Sequence, residues 1–535
     1  MDVDVLIVGA GPTGLALALQ LARFGTSFRI IDAGREATDL SKAVGVQART
    51  LETLDMLGLA DSLIARGNKA NSFHIYDDGA EILTVDVSEL ESRFPFLLVV
   101  PQSETERVML ESLEKSGVTV ERETTLTRFT QDDSGVVATY ESADRLSRTV
   151  HARWIVGCDG AHSAVRHIAE LPFEGEEYAD GFMLADVKVD WDRSLDHLYL
   201  FLKDGWLTAF FGFADRRYRI ICDLPPDQAP PEQTPTLEDC QRLVNERVPF
   251  PVRLSDPKWT ANYRIHRRIV PHLREGRAFV AGDAAHIHSP AAAQGMNTGI
   301  QDATNLGWKL AMAAAGISEN PLLESYNEER YPAERAVLQG TDTLLKMMSL
   351  RQPVARSIRD HLLPLLSSAK PIRHILRDRI SEIGISYRGS SLVAEHDHSS
   401  GAKAGDRAPD GPLIRADGSE VRLYELLRQS PFVWLVFADD GDAYDAGFAN
   451  TGSRIPETLR PFTRPYIVTR RSVATQTATG DVAILRDPPG LITELYGVTH
   501  PCLRVIRPDG YIGLRADARS LKAREVNAWV VGMRN

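Results

Sequence analysis

The first residues whose types and spacing could do chemistry form a glycine-rich run near the amino terminus. Gly9, Gly11 and Gly14 follow a short apolar segment and precede a helix-forming one. In such a run the first glycine makes a tight turn, the second lets the backbone approach a pyrophosphate, and the third allows close packing of helix on strand. An acid about 20 residues further on hydrogen-bonds an adenosine ribose, and Asp32 has that spacing. The dinucleotide site predicted here comprises Gly9, Gly11, Pro12, Thr13, Gly14 and Asp32, and it leaves NAD and FAD both open.

These residues need a strand, a turn, a helix and a second strand to position them. Residues 4–8 are a short β-rich apolar run of the kind that parallel sheets bury on both faces. Residues 15–24 favour a helix that ends near Gly25, and residues 27–31 form the second strand. A right-handed crossover makes two such strands parallel neighbours. The amino terminus is therefore predicted to begin an α/β domain.

Length and composition exclude several classes of protein. The chain has 535 residues, of which 43% are hydrophobic and 25% charged, as in folded soluble proteins. The net charge of −12 argues against nucleic acid or an anionic membrane as partner, because both favour a basic surface. Four cysteines without a C-x-x-C pair predict neither a disulfide framework nor a cysteine zinc site. The apolar run from Val3 to Leu21 is interrupted by three glycines and a proline. No other stretch approaches the roughly 20 apolar residues of a membrane span, so we expect a cytoplasmic enzyme.

Two later segments choose between NAD and FAD. Residues 155–166 read IVGCDGAHSAVR and residues 279–286 read FVAGDAAH. Both resemble motifs of the class A flavoprotein monooxygenases, the aromatic hydroxylase superfamily. The first motif is associated there with both FAD and NAD(P)H, and it carries over to Asp159, Gly160, Ser163 and Arg166. The second implies that Gly282 and Asp283 hold the ribityl chain of FAD.

Residues 287–299 resemble the family's loop beside the flavin ring. The resemblance implies that Pro290 lies near the reactive edge of the flavin, where it contributes only to the environment. It also implies that the backbone N–H groups at the start of the next helix face the pyrimidine side and stabilise the reduced, anionic flavin. Those groups belong to Gly295, Met296 and Asn297. Ala292 and Ala293 replace two glycines of the family pattern, and alanine disfavours positive φ. We therefore expect an altered loop shape without loss of FAD binding.

Smaller elements of the same resemblance carry over one residue at a time. Gln102 matches a glutamine that contacts FAD, and Leu126 is assigned to the cofactor as well. Lys42 holds the position where relatives usually have arginine near the pyrophosphate, and Arg49 is the second candidate. Val44 stands where some phenol hydroxylases carry a catalytic aspartate, so that acid/base device is absent.

The resemblance also implies a fold class and a division into domains. A Rossmann-like FAD domain of the glutathione-reductase type is interleaved with a mostly antiparallel substrate sheet, and a thioredoxin-like α/β domain follows. The aromatic and β-branched runs between residues 180 and 270 favour the same sheet. The predicted bounds are 1–75, 103–178 and 270–345 for the FAD domain, 76–102 and 179–269 for the sheet, 346–390 for a helical connection, 391–412 for a linker and 413–535 for the last domain.

The last domain is identified by two segments, residues 404–410 and 505–515, which resemble the carboxy-terminal domain of phenol-hydroxylase-type members. A redox role would need a reactive C-x-x-C pair, so we expect a structural role, and whether the chain forms a homodimer stays open. The segment from Glu395 to His398 holds metal-ligand types in the predicted linker without a distant partner cluster, so no metal site is predicted.

The reaction that the resemblance implies is an aromatic hydroxylation. NAD(P)H, bound transiently, reduces FAD, and O₂ then gives a C4a-hydroperoxide that hydroxylates an activated phenolic or polycyclic phenolic ring. No protein nucleophile is required, and the candidates for the substrate wall are Trp206, Phe211, Tyr218 and His266. Two alternatives remain: epoxidation or Baeyer–Villiger oxygen insertion with the same cofactor, and a flavin-bound reductase or aromatic-ligand-binding protein without productive oxygenation. The substrate, the ring position and the choice of NADH or NADPH are left open.

Overall fold

A computed structural model describes most of the chain. The described residues are 1–37, 43–225, 227–228, 233–287, 293–318, 320–348, 376–438, 455–470, 482–517 and 529. Three predicted positions, Lys42, Pro290 and Ala292, lie outside them, as does most of the predicted helical connection. Within the described ranges the strands form four sheets, and the long helices pack between the first sheet and the third, which is built from the carboxy-terminal strands.

The first sheet has a parallel centre built from the amino-terminal strands. Its strands are β1 (Val3–Val8), β2 (Phe28–Ile31), β8 (Thr125–Asp132), β9 (Gly135–Glu141), β10 (Ser147–Gly157), β16 (Arg274–Glu275) and β17 (Ala278–Val280). The order β17-β10-β1-β2 is parallel, and β9 extends β10 as an antiparallel ribbon with β8. Helix α1 (Pro12–Phe24) connects β1 to β2, and Gly25 ends it in a left-handed conformation. The predicted strand, turn, helix and strand are confirmed.

The second sheet is antiparallel except at one pair of strands. In spatial order it contains β18 (His286–Ile287), β15 (Arg253–Ile269), β11 (Glu174–Asp190), β14 (Arg217–Leu224), β13 (Trp206–Gly212), β12 (His197–Lys203), β5 (Ser72–Asp77) and β6 (Ala80–Asp86). Only β12 and β5 run parallel. One face carries Phe182 and Phe211 in a cluster with Ala48 and Leu97. The opposite face packs on helix α6 (Leu237–Arg247). The sheet is thus buried on both faces.

The third sheet gathers the carboxy-terminal strands, and a fourth is small. The third comprises β19 (Ala394–His396), β20 (Pro412–Arg415), β21 (Glu420–Arg422), β22 (Phe432–Phe437), β23 (Thr463–Thr469), β24 (Ala483–Arg486), β25 (Cys502–Ile506) and β26 (Ile512–Asp517). The fourth pairs β3 (Gly45–Val46) and β4 (Asn68–Ala70) with β7 (Leu97–Val99). Part of the segment predicted as a linker is therefore a strand, since β19 pairs with β26.

Two long helices form the centre of the molecule. Helix α7 (Gly295–Ala314) is buried along almost its whole length, and α8 (Asn320–Met348) packs against it. Glycines allow α1 to approach α7, since a Cβ at Gly307 would lie 2.7 Å from the Gln20 Cβ. The other named helices are α2 (Ala48–Asp55), α3 (Ala60–Ile64), α4 (Gln102–Lys115), α5 (Ala164–Ile168), α9 (Leu423–Gln429) and α10 (Leu491–Leu495). None of the described helices combines the length and apolarity of a membrane span.

Candidate active site

The predicted glycine run forms a cradle at the start of α1. Gly9 has φ +99°, and a Cβ there would lie 2.4 Å from the Cys158 carbonyl oxygen. A Cβ at Gly14 would lie 1.9 Å from the Gly9 oxygen, whereas at Gly11 nothing stands within 4 Å. The amino terminus of α1 has no side-chain cap. Its N–H groups and its positive dipole end therefore face open space, which is the arrangement that binds phosphates.

Asp32 lies beside this cradle at the end of β2. Its carboxylate accepts hydrogen bonds from the Ala10 and Gly34 backbone N–H groups, both at 2.7 Å. Arg122 comes within 3.3 Å of the same carboxylate. Asp32 therefore fixes the glycine loop while remaining partly exposed. The sequence did not indicate Arg122, because no motif marks the segment before β8.

Gln102 and the buried acid Glu106 lie at the start of α4, and the charge of Asp32 acts on Glu106. The Gln102 side chain accepts from the Ala43 N–H at 3.1 Å and donates to Glu106 at 2.9 Å. Burial raises the pKa of Glu106, although the hydrogen bond from Gln102 opposes this. Gln102 thus joins the first turn of α4 to the segment before β3. Its predicted contact with FAD stays a prediction.

A second glycine turn meets the first at Thr13. Gly282 has φ +59°, and a Cβ there would lie 2.4 Å from the Thr13 hydroxyl oxygen. A Cβ at Gly299 of α7 would lie at the same distance from that hydroxyl. Asp283 is exposed, while Gly282 and Ala284 on either side of it are buried. The turn therefore presents one carboxylate outward beside the start of α1.

The predicted DG motif supports this turn from the other side. Asp159 accepts from the Ala164 N–H at 2.7 Å at the start of α5, and burial raises its pKa. Gly160 takes φ +76°, and Ser163 caps α5 through the Arg166 N–H. The Arg166 guanidinium donates to the carbonyl oxygen of Ala284 at 2.9 Å. The two family motifs are thereby joined directly.

The first turn of α7 is fastened to the fourth sheet by one side chain. Asn297 accepts from the Gln47 N–H at 2.9 Å and donates to the carbonyl oxygens of Gly45 and Ala293 at 2.9 and 2.7 Å. Gly295 and Met296 begin the helix beside it. Ala293 has φ +52°, which costs an alanine about 1–2 kcal/mol. The alanine that replaces a family glycine therefore does adopt the strained conformation.

A buried ionic cluster holds α7 against the Gly282 turn. Asp302 accepts from the Gly282 N–H at 3.1 Å, from His286 at 2.7 Å and from Arg330 at 2.7 Å. Burial would raise the pKa of Asp302, but Arg330 and His286 outweigh it and hold that pKa well below its usual range. Burial also raises the pKa of Glu334, to about 8.

Three side chains of this cluster have the types that could bind a metal ion. His286, Asp302 and Glu334 bring ligand atoms within 4.8 Å of one another. Arg330 lies in the same buried cluster and already neutralises Asp302. The cluster is therefore an ion-pair network. It includes His286, the last residue of the second family motif.

The structure gives Arg49 partners other than a phosphate. Its guanidinium is buried and bonds Glu52 at 2.9 Å, the Tyr424 hydroxyl at 3.2 Å and the Asp509 carbonyl oxygen at 2.6 Å. This corrects the expectation for Arg49, because its side chain turns toward the third sheet. Leu126 is buried in β8 and pairs with Tyr140.

The four substrate candidates do not lie together. Phe211 belongs to the apolar cluster with Ala48 and Leu97. Tyr218 is buried on the other face of the sheet, with its ring 5.4 Å from that of Trp191. The Arg247 guanidinium of α6 lies 5.5 Å from the ring of Trp206. On β15, His266 has a buried Nδ1 without a hydrogen-bond partner among the described residues. Of the four candidates, only Phe211 belongs to the cluster that contains Leu97, and Leu97 and Ala293 both border Gly45.

Comparison with known proteins agrees with this site. The profile of a family described as the FAD binding domain matches residues 2–341. The chain is 30% identical to pentachlorophenol 4-monooxygenase of Sphingobium chlorophenolicum, over 99% of this chain and 97% of that one. It is 32% identical to 6-methylpretetramide 4-monooxygenase of Streptomyces rimosus, over 97% and 92%.

A solved structure shows the same architecture over the full length. OxyS, the anhydrotetracycline hydroxylase from Streptomyces rimosus, superimposes with a TM-score of 0.77 at 27% identity and covers 99% of both chains. The glycine cradle, the exposed Asp283 and the family match all point to the same cofactor. The chain belongs to the FAD-binding domain family and is an FAD-dependent enzyme of the class A aromatic hydroxylases.

Proposed function

We propose that this chain is a single-component monooxygenase that uses NAD(P)H and O₂ to hydroxylate a phenolic, preferably polycyclic, ring. The observation that carries the proposal is the convergence of two glycine turns at one helix terminus. Gly11 leaves open space before α1, and Gly282 approaches Thr13 in the first turn of that helix. Relatives named for pentachlorophenol and for anhydrotetracycline support the class of substrate.

The residues present fit FAD. The uncapped terminus of α1 would bind the pyrophosphate, Asp32 the adenosine ribose and Asp283 the ribityl chain. The first turn of α7 would face the pyrimidine side of the ring, where the positive end of this 20-residue helix stabilises negative charge. Bound FAD supplies the redox and oxygen chemistry. The chain contributes binding, orientation and exclusion of water.

The substrate would lie between Ala293, just before α7, and the apolar face of the second sheet. A Cβ at Gly45 would touch Ala293 at 3.1 Å and Leu97 at 3.2 Å, so the loop end adjoins the cluster that contains Phe211. Ile380 and Ile383 pack against the same cluster. Such a surface excludes water and suits a flat aromatic ring. The absence of a catalytic aspartate at Val44 leaves orientation as the main contribution of the chain.

We also propose that the third sheet is a thioredoxin-like domain. Its centre has the order β26-β25-β22-β23, with β22 and β23 parallel and the other neighbours antiparallel, which supports this assignment. The four cysteines are all free and buried. Burial raises the pKa of Cys502 to about 12, so a thiol reaction at neutral pH is not expected. The domain's role would then be structural.

Two adjacent phenylalanines provide a matched test of the substrate face. Phe211 points into the cluster that contains Leu97, and Phe210, which is also buried, points to the opposite face toward Trp191. We expect Phe211→Leu to raise KM for the aromatic substrate and to divert reducing equivalents to H₂O₂. Phe210→Leu should lower stability similarly and leave KM unchanged. Steady-state kinetics across a panel of phenols, with product masses, would measure both. Equal KM values for the two variants would contradict the proposed substrate face.

A further inference from the structure

A buried turn of the third sheet projects into the FAD-binding part of the chain. Residues 507–510 form the turn between β25 and β26, and Tyr511 completes the connection. Arg507 is fully buried and Asp509 is 3% exposed, although both are charged and stand in a turn. Gly510 takes φ +77°, which closes the turn. Turns between strands normally face water. Because this turn is buried, its charged groups need partners within the protein.

Its first partners are the two central helices. Arg507 forms a bidentate ion pair with Glu329 of α8, at 2.6 and 2.7 Å. Asp509 accepts hydrogen bonds from Trp308 Nε1 at 3.1 Å and from Asn305 Nδ2 at 3.2 Å, both on α7. The turn therefore fixes the middle of α7, three to four helical turns after that helix begins at Gly295.

Its second partner is α2. The Asp509 carbonyl oxygen accepts from Arg49 at 2.6 Å, and the Arg49 guanidinium lies 4.7 Å from the ring of Tyr511. Arg49 is held in place by Glu52 on the same helix. The turn of residues 507–510 thus contacts α2 as well as α7 and α8.

The same two helices are joined again near their amino termini. Asn297 in the first turn of α7 bonds Gly45 and Gln47, immediately before α2. Helices α2 and α7 are therefore linked at one end by Asn297 and further along by the turn of residues 507–510. Because both links are buried and charged or polar, moving one helix relative to the other would expose or unpair these groups.

We propose that Arg507 and Asp509 are positioning residues for FAD. They act through α7 and α2, fixing the first turn of α7 and the described segment before α2, residues 43–47, in the arrangement that receives the cofactor. Ala293, just before α7, has a strained φ of +52°, and strain persists only where surrounding structure enforces it. The proposal rests on FAD binding and not on the identity of the substrate, so FAD affinity tests it separately from hydroxylation.

A second buried arginine provides the control. Arg504 on β25 is also fully buried and pairs with Asp397 at 2.5 Å, and its hydrogen-bond partners among the described residues all lie within the third sheet or the segment beside it. In the full-length protein, Arg507→Met should weaken FAD binding at least about tenfold. Arg504→Met should lower the melting temperature comparably and leave FAD affinity within about twofold. Arg507→Lys, which keeps the charge but not the fork, should recover part of the affinity.

FAD affinity is measured by titrating the apoprotein with FAD and following flavin fluorescence, and folding by circular dichroism. If Arg507→Met does not fold, Asp509→Asn decides, because it keeps the shape of the side chain and removes only its charge. We expect Asp509→Asn to weaken FAD binding several-fold while it remains folded. A folded Arg507 or Asp509 variant that binds FAD as tightly as the unmodified protein would overturn the proposal. An Arg504 variant with the same loss of affinity would overturn it as well.

Discussion

Removing the carboxylate of Asp302 should destabilise the protein far more than removing a surface carboxylate with equally short contacts. Asp302 is fully buried and bonds Gly282, His286 and Arg330. Asp302→Ala leaves the Arg330 guanidinium buried without its nearest counter-charge and frees the Gly282 turn. Breaking a buried pair in this way costs about 3–5 kcal/mol. That is a large part of the about 5–15 kcal/mol that stabilises a typical domain.

Asp144→Ala is the matched control. Asp144 pairs with Arg148 at 2.6 Å, but their side chains are 45% and 53% exposed. Exposed pairs contribute about 0–1 kcal/mol because water competes for both ions. Urea unfolding followed by circular dichroism, with and without FAD, compares the two variants. If the free energies of unfolding of the two variants agree within about 1 kcal/mol, the reasoning from burial is refuted.

The remaining predictions concern the glycine cradle and pH. Gly14→Ala should abolish tight FAD binding, because its Cβ would lie 1.9 Å from the Gly9 oxygen. Gly340→Ala, with nothing within 4 Å, should leave FAD affinity unchanged in the same fluorescence titration, and equal affinities would contradict the cradle. Burial raises the pKa of Glu382 from 4.5 to about 8, so the contribution of its neutral form to stability is fully present below about pH 4.5 and is lost progressively as the pH rises to about 8. Glu382→Gln keeps a neutral partner for Gln301 and should flatten the fall of melting temperature between about pH 4.5 and 8. An unchanged pH profile would show that Glu382 is ionised in the fold.

Local sequence patterns predicted the glycine turn before α1, because most contacts that define this turn lie within one strand, turn, helix and strand. Gly14 and Asp32 contact Gly9 and Ala10 within the same strand, turn, helix and strand, and Gly9 contacts Cys158 at the end of the adjoining strand β10. The departure at Ala293 was also predictable, since alanine at a glycine position has a defined conformational cost. These are contacts between residues close in sequence or in adjoining strands.

The supporting network could not be predicted, because its partners are distant in sequence. Asp302 pairs with Arg330 28 positions away, and Arg49 reaches Asp509 across 460 positions. Polar composition likewise suggested a linker near residue 397, yet Asp397 is buried against Arg504, 107 positions further on. Charged residues indicate exposure unless a partner is known, and nothing local identifies the partner.

The sequence also did not determine which side chains lie on which face of the second sheet. When one face of a sheet is exposed, alternation of polar and apolar residues identifies the inner face. Here α6 covers the outer face, so Phe210 and Phe211 are both buried although they point in opposite directions. Tyr218, predicted near the substrate, lies on the face toward α6 for this reason. Only tertiary packing distinguishes the two faces.

The most direct test of the central claim is the origin of the oxygen in the product. The FAD-loaded protein would be given NADPH or NADH, a phenol that accelerates flavin reduction, and ¹⁸O₂ in unlabelled water. We predict a hydroxylated ring that carries one labelled oxygen atom, with its position established by product structure. An inserted oxygen beside a carbonyl would indicate the Baeyer–Villiger alternative. Oxidation of the nicotinamide without any labelled product, for every phenol that accelerates reduction, would contradict a monooxygenase.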